Sequence, residues 1–221
     1  MIDQLIIGDK ASNDDFEASV KEREIKDGAK KEIKESVPFS NVTHDFSAIN
    51  GEVYWEDKEL KYVFEITADT PEELEEKKIN FKSWVMNVAG EKLYDPFIRD
   101  YHFIATFNDI DVDDSEIEKS TITVTFTAYP YMLSNQKRLY TVQLLASKEV
   151  TVTVCNNSSH RITPTFNSDV AFTVKKGSSS YGVPAGETTD DSFKLAVGMN
   201  TLTLQAAESG ILNISFHEEV F

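Results

Sequence analysis

From Leu60 to Ile66 the apolar side chains take every second position. Leu60, Tyr62, Phe64 and Ile66 alternate with Lys61, Val63, Glu65 and Thr67, the period-2 pattern of a strand with one buried face. The period then changes. In Thr70-Pro71-Glu72-Glu73 the Thr70 hydroxyl is placed to accept from the Glu73 amide, and Pro71 suits the first helical position. Leu74, Phe81, Trp84, Val85 and Val88 follow on one face at helical spacing, with Gly90 as the stop. The pattern predicts a helix over about Pro71 to Val88 that packs Phe81 and Trp84 on a sheet. Two more strands alternate through Tyr101, Phe103, Ala105 and Phe107, and through Ile122, Val124, Phe126 and Ala128, with an acidic turn between them. Tyr129-Pro130-Tyr131 ends the second, because Pro130 has no N–H for a ladder. Ser134 to Arg138 reads as a linker, so the expected domains are 1–138 and 139–221.

Beyond Leu139 no helical period is found. Short alternating sets, Val150/Val152/Val154, Val170/Phe172/Val174, Phe193/Leu195/Val197, Leu202/Leu204 and Leu212/Ile214/Phe216, are expected to face inward. Asn156 to Ser159, Gly177 to Ser180, Gly182 to Gly186 and Gly198-Met199-Asn200 supply the turns. Strands at this spacing predict a β-sandwich or jelly roll. Gly8 to Ser36 is nearly free of large apolar residues and cannot build a core. It reads as short strands flanking an extended polar loop, with a hairpin turned around Asp27-Gly28, either ordered by another chain or simply solvated. The expected fold class is mainly β with one principal helix (α+β): a sheet with a packed helix, then a sandwich.

Composition changes this picture little. In 221 residues, 40% of them hydrophobic, there is core material for two modest domains. Cys155 is the single cysteine, which excludes an internal disulfide and a multi-cysteine zinc site. The opening Met1 to Gly8 lacks the features of a signal peptide, and no apolar run approaches the ~18 residues of a membrane span, so synthesis in a cytosol and no membrane are expected. Charge is more informative. Of a net −16, residues 1–140 carry 17 Lys+Arg against 30 Asp+Glu, and residues 141–221 carry 5 against 8. Such a surface repels phosphate backbones, so no specific nucleic-acid binding is expected.

The chemical motifs fail one by one. Asp109, Asp111 and Asp113 begin like a calcium loop, but the sixth position holds Asp114 where glycine is needed and the twelfth holds Ser120 where glutamate belongs; an acidic, solvated hairpin loop is expected instead. His217-Glu218-Glu219-Val220-Phe221 starts like a zinc-protease motif and puts Phe221 where the second histidine belongs. His44, His102 and His160 stand beside no second ligand cluster. The serines of Gly177 to Gly182 do not make a nucleophile elbow, and no glycine loop cradles a phosphate. Cys155, after a valine-rich strand, reads as a buried small hydrophobe. Four glycosylation sequons begin at Asn41, Asn156, Asn157 and Asn213 and are read as chance without a secretory route. No catalytic, cofactor-binding or metal-binding residue is assigned, and no cofactor or enzymatic activity is expected. The alternative is a glycan-binding sandwich using Tyr181, Asn156 and Asn157, although both tryptophans, Trp55 and Trp84, lie outside that part. An unrecognised hydrolase, its site assembled only by folding, is the other class.

The order of motifs resembles the distal tail protein (Dit) family of siphophages and related prophages. The likeness runs from Lys31-Glu32-Ile33 through Pro38 and Asp45-Phe46-Ser47 to the strand Glu59 to Ile66, the helix Glu72 to Trp84, Gly90 to Asp95 and Tyr101 to Ala105. Its clearest tag is Ile122-Thr123-Val124-Thr125-Phe126-Thr127-Ala128-Tyr129-Pro130-Tyr131. The C-terminal part is similar to the family's galectin-like or carbohydrate-module-like sandwich through Val154 to Asn157, Pro164, Gly198 to Leu202 and Gly210 to Phe216, without a long insertion. The resemblance implies a virion structural protein at the tail tip. It implies a homo-oligomer, a hexameric ring built by the N-terminal domains, that joins the major tail tube protein to tail-associated (Tal-like) and receptor-binding or baseplate proteins. An acidic lining of that ring would keep passing DNA from adhering.

Overall fold

Two separate apolar cores organise the chain, one drawn from Leu5 to Ala128 and the other from Val142 to Phe216. The computed structural model describes residues 4–36, 39, 41, 43–47, 51–114, 116 and 118–221. The chain divides into two units, Met1–Met132 joined by Phe221, and Leu133–Val220.

The first unit holds β1 (Ile6–Ile7), β2 (Lys10–Ala11), α1 (Ser12–Phe16), β3 (Ala18–Lys26), β4 (Lys34–Ser36), β5 (Thr43–Asp45), β6 (Lys58–Thr67), α2 (Pro71–Val85), β7 (Ala89–Tyr94), β8 (Tyr101–Asp113) and β9 (Lys119–Ala128). Its main sheet runs β3-β6-β9-β8-β7-β1-β2. Every neighbouring pair in it is antiparallel. At the centre, β6 and β9 pair from Lys58↔Ala128 to Thr67↔Lys119. Leu60, Phe64 and Ile66 of β6 and Ile122, Val124 and Phe126 of β9 are wholly buried. Each such side chain contributes roughly 1.5–3 kcal/mol of transfer free energy.

Helix α2 covers the apolar face, with Leu74, Phe81 and Val85 buried and Trp84 partly so. Thr70 caps it, its hydroxyl accepting from the Glu73 amide at 3.2 Å. The helix stops at Met86, before the expected Gly90; that glycine, at φ +76°, occupies the bulge between Ala89 and Glu91 in β7. The Phe16 ring of α1 stacks on Trp84 at 4.5 Å and meets Phe81 edge-on at 6.3 Å.

Residues 8–36 differ from their expected form. Residues 18–26 are a strand of the chain's own sheet, paired with β6 from Ala18↔Ile66 to Lys26↔Glu59. No hairpin turns at Asp27-Gly28. Instead residues 29–31 run beside 54–56, with Lys31 N donating to Tyr54 O and Glu56 N to Ala29 O, each at 2.8 Å. Gly28 is needed there, because a Cβ on it would lie 1.8 Å from the Glu56 carbonyl oxygen.

The second unit contains β10 (Met132–Leu144), β11 (Glu149–Asn156), β12 (Thr165–Ser168), β13 (Phe172–Lys176), β14 (Ser179–Val183), β15 (Gly186–Thr189), β16 (Gly198–Ala206) and β17 (Gly210–Val220). Two four-stranded arrays, β11-β16-β13-β14 and β15-β12-β17-β10, enclose one core. Phe166 meets Phe172 at 5.7 Å and Phe193 at 5.2 Å within it. The fold is thus mainly β with one principal helix. Three local expectations fail here. Ser134 to Arg138 belongs to β10 rather than to a linker. Val197 is 56% exposed, because the Asn200 side chain binds the backbone of Ala196 and Gly198 and turns the chain just there. Gly198 to Asn200 and Gly182-Val183 lie in strands as well as flanking turns.

Candidate functional site

The aspartates read as a hairpin loop lie on a strand. Asp109, Asp111 and Asp113 are exposed on one face of β8, opposite Thr125, Thr123 and Thr121 of β9, while Ile110 and Val112 pack against the core. Asp114 accepts from Lys78 at 2.7 Å and from Ser120 at 2.7 Å, and those two bonds hold its carboxyl below the usual carboxylate range. Burial alone would lower the Lys78 ammonium, but hydrogen bonds to Asp114 and Glu75 outweigh it and raise it. These acids serve as structural partners and as a row on the outer face of the sheet.

The histidines are dispersed. His102 is buried beside Tyr94, ring centroids 5.2 Å apart. His160 approaches Glu219 at 3.2 Å, and His217 Nδ1 lies 2.7 Å from Ser134 O. His44 is in β5, and its side chain falls outside the described residues. Among the described residues no three His, Cys, Asp or Glu are grouped to hold a metal ion. Glu218 accepts from Arg138 at 2.7 Å and from Asn157 at 2.9 Å, so the apparent protease motif is a strand-end network. Cys155 is half-buried rather than buried: Val154 and Asn156 point inward, and the thiol turns outward, 3.2 Å from Asn157 Oδ1. Of the sequons, Asn156 is buried, its amide donating to His160 O at 3.0 Å, which leaves no room for a glycan.

The sandwich was also the candidate glycan binder. Its aromatic residues, all described, are Tyr140, Phe166, Phe172, Tyr181, Phe193 and Phe216, and none is exposed. The Tyr181 ring is packed edge-on against Phe193 at 5.1 Å. No open aromatic platform is available for a sugar to stack on.

Two features of the first unit escaped the sequence reading. One is a charged node. The Asp95 carboxylate has no exposed side-chain surface and accepts from Arg23 Nη1 at 2.9 Å, Tyr62 OH at 3.0 Å and Phe97 N at 2.8 Å. Burial first, and then the Asp95 charge, push the Tyr62 hydroxyl well above an ordinary phenol. The Arg23 guanidinium also lies over the Phe97 ring at 4.4 Å. Beside the node opens a cleft of about 530 Å³ lined by Gln4, Ile6, Tyr94 to Ile98 and Arg99. Its walls are apolar, with Phe97 and Ile6 exposed. The Gln4 side-chain oxygen is buried there without a hydrogen-bond partner.

The other feature is the excursion between β3 and β6. Among its described residues β4 pairs with β5 from Lys34↔Asp45 to Ser36↔Thr43, and Phe46 N donates to Ile33 O at 2.8 Å. Of its described residues only Ser47 is buried, whereas Ile33, Phe39, Phe46, Val53 and Tyr54 are exposed.

A helix-covered antiparallel sheet followed by a β-sandwich is the fold found in one solved phage tail protein. The Dit protein of phage SPP1, described as a paradigm of the hub adsorption apparatus in phages infecting Gram-positive bacteria, superposes with a TM-score of 0.71 over 99% of each chain, at 13% identity. The baseplate of phage p2 in its activated conformation gives a TM-score of 0.45, with 9% identity over 96% of this chain and 97% of that one. No protein-family model matches the sequence, and no curated protein does.

Proposed function

We propose that this chain is a structural hub protein of a phage or prophage tail. The observation that carries the reading is agreement with the SPP1 Dit fold over 99% of each chain. In this reading six copies close a ring through their first units, and the sandwiches project outward. The ring joins the tail tube above to tail-associated and receptor-binding or baseplate proteins below, at the tip of the virion tail. The role is architectural, without chemistry or cofactor. The absence of an exposed aromatic among the described residues of the sandwich supports attachment through protein partners rather than through sugar.

Electron microscopy of the purified full chain, alone and co-expressed with tube and tail-associated proteins of its own gene cluster, tests the proposal. Sixfold rings with a central opening are expected in at least the second sample. Single copies in both would overturn it.

A further inference from the structure

We infer that the β11 edge of the sandwich pairs with the same edge of a second copy of this chain, antiparallel and centred on Thr151. The inference goes beyond the hub reading and needs only the second unit.

A strand at the end of a sheet leaves every second N–H and C=O unpaired, and proteins guard such edges with short strands, bulges or charge. Other edges of this molecule follow that rule. β14 and β15 have five and four residues, and each contains a glycine. β3 is broken by its bulge and carries Lys21, Glu22, Arg23, Glu24 and Lys26. β11 departs from it. Its eight residues, Glu149-Val150-Thr151-Val152-Thr153-Val154-Cys155-Asn156, include no glycine, proline or lysine. Among the described residues this strand pairs with β16 only, in unbroken register from Glu149↔Gln205 to Asn156↔Gly198. Its one charge, Glu149, is matched by Lys175 at 2.7 Å.

The Tyr140 hydroxyl shows which way the edge faces. It accepts from Cys155 N at 3.1 Å and donates to Cys155 O at 3.4 Å. Both backbone groups of Cys155 therefore point away from β16, and the period of two sends those of Glu149, Thr151 and Thr153 the same way. Among the described residues no side chain caps Thr151 or Thr153 as Tyr140 caps Cys155. Val150 and Val152 are half-buried against the core, whereas Val154, next in their row, is wholly buried. An added strand would cover what remains of the first two.

The same edge fits that place. With Thr151 opposite Thr151, Glu149 meets Thr153 and Val150 meets Val152, so no like charges face each other. Cross-strand threonine pairs are favourable, and the valines shield one another. The outward N–H and C=O groups of Glu149, Thr151 and Thr153 all find partners. Neighbouring registers are worse. Centring on Thr153 sets Thr151 against Cys155, whose groups Tyr140 already occupies. Centring on Glu149 brings the two glutamates face to face. The contact is self-complementary about a two-fold axis.

Register-specific cross-linking of the full chain tests the pairing. The chain with Thr151→Cys and Cys155→Ser, held in a glutathione redox buffer, should form a disulfide-linked dimer in denaturing electrophoresis. Its paired Cα atoms would lie about 5.5 Å apart, within disulfide reach. Cys155→Ser leaves the Tyr140 cap in place, because that cap binds only the backbone. The control carries Glu149→Cys and Cys155→Ser. Its cysteines would stand four strand steps apart, roughly 13 Å, and should cross-link about tenfold more slowly or less. Thr151→Lys sets like charges opposite each other and should speed hydrogen exchange at the Thr153 amide, with circular dichroism unchanged. No dimer from the Thr151→Cys chain, or equal rates from the two cysteine variants, would overturn the pairing. So would a Thr153 amide that exchanges as fast in the native chain as in Thr151→Lys. Protection of that amide only after a tail-associated protein is added, without cross-links between copies, would assign the edge to a strand of that protein and equally overturn the self-pairing.

Discussion

At Asp95 a single carboxylate ties three segments together. Its partners Arg23 and Tyr62 lie 72 and 33 positions away in sequence, so no local pattern signals the node. Asp95→Ala leaves a phenol and a guanidinium without their acceptor. The loss should be about 2–3 kcal/mol, below the ~3–5 of a fully enclosed pair because Arg23 keeps 37% of its side chain exposed. Equilibrium urea unfolding of the variant measures it. The Tyr62 hydroxyl adds a dependence on pH. Its folded pKa is raised, so its contribution is complete below the ordinary tyrosine value of about 10 and disappears as pH climbs through the folded value. Tyr62→Phe should therefore cost about 1 kcal/mol at pH 8, the usual net worth of one hydrogen bond. The gap to the native chain should narrow above pH ~10, where the hydroxyl of the unfolded chain begins to lose its proton while the folded one still holds it. A gap that stays constant to pH 11.5 would show that the bond to Asp95 does not hold that proton.

Among the elements, α2 was the most legible, because Thr70-Pro71 and the helical spacing of Leu74, Phe81 and Val85 are local features that the packing only confirms. Thr70→Ala should lower stability by about 1 kcal/mol, read as a drop of a few degrees in thermal midpoint. Parts of two strands of the sheet were illegible for a physical reason. In β8 the inward positions are Phe103, Ala105 and Phe107, but a bulge between Phe107 and Asp109 inserts one residue, after which Ile110 and Val112 point in. In β3 a bulge between Val20 and Glu22 likewise shifts the inward set from Ala18 and Val20 to Arg23 and Ile25. A period-2 reading cannot follow a strand whose phase changes midway, so both stretches looked like polar loops. The excursion between β3 and β6 shows the same limit at its base. Gly28 is compatible with a turn in sequence, yet it stands there because the backbone of Glu56 passes too close for any side chain. Gly28→Ala should force residues 29–31 and 54–56 apart and speed amide hydrogen exchange at Lys31 and Glu56, whose N–H groups donate across that gap, while leaving exchange in β9 unchanged.

Over the whole molecule, the uneven charge acquires a location. The outer face of the first sheet sets the aspartate row of β8 against the threonines of β9, which in turn adjoin Glu59, Lys61 and Glu65 of β6. Glu65 is held below the usual carboxylate range by hydrogen bonds from Lys119 and Lys21. The apolar positions of these strands follow from burial, but nothing in burial requires the outward ones to be acidic. That freedom is what function can use, and the sequence showed only the sum, not the face. If the ring encloses the path of DNA, the aspartate row of this face is suited to line it, since a phosphate meets like charge along Asp109, Asp111 and Asp113. The native chain should then leave a 30-base-pair duplex unbound at 0.15 M salt, as measured by fluorescence anisotropy. Replacing Asp109, Asp111 and Asp113 together with lysine keeps the exposed strand positions polar and reverses the row. The variant should bind the duplex at 0.05 M salt and release it as salt rises, with a slope of log affinity against log salt of up to about −3, near −0.9 for each phosphate neutralised. Native protein that binds duplex DNA at 0.15 M salt, or a variant no different from it, would remove this face from the path of the DNA.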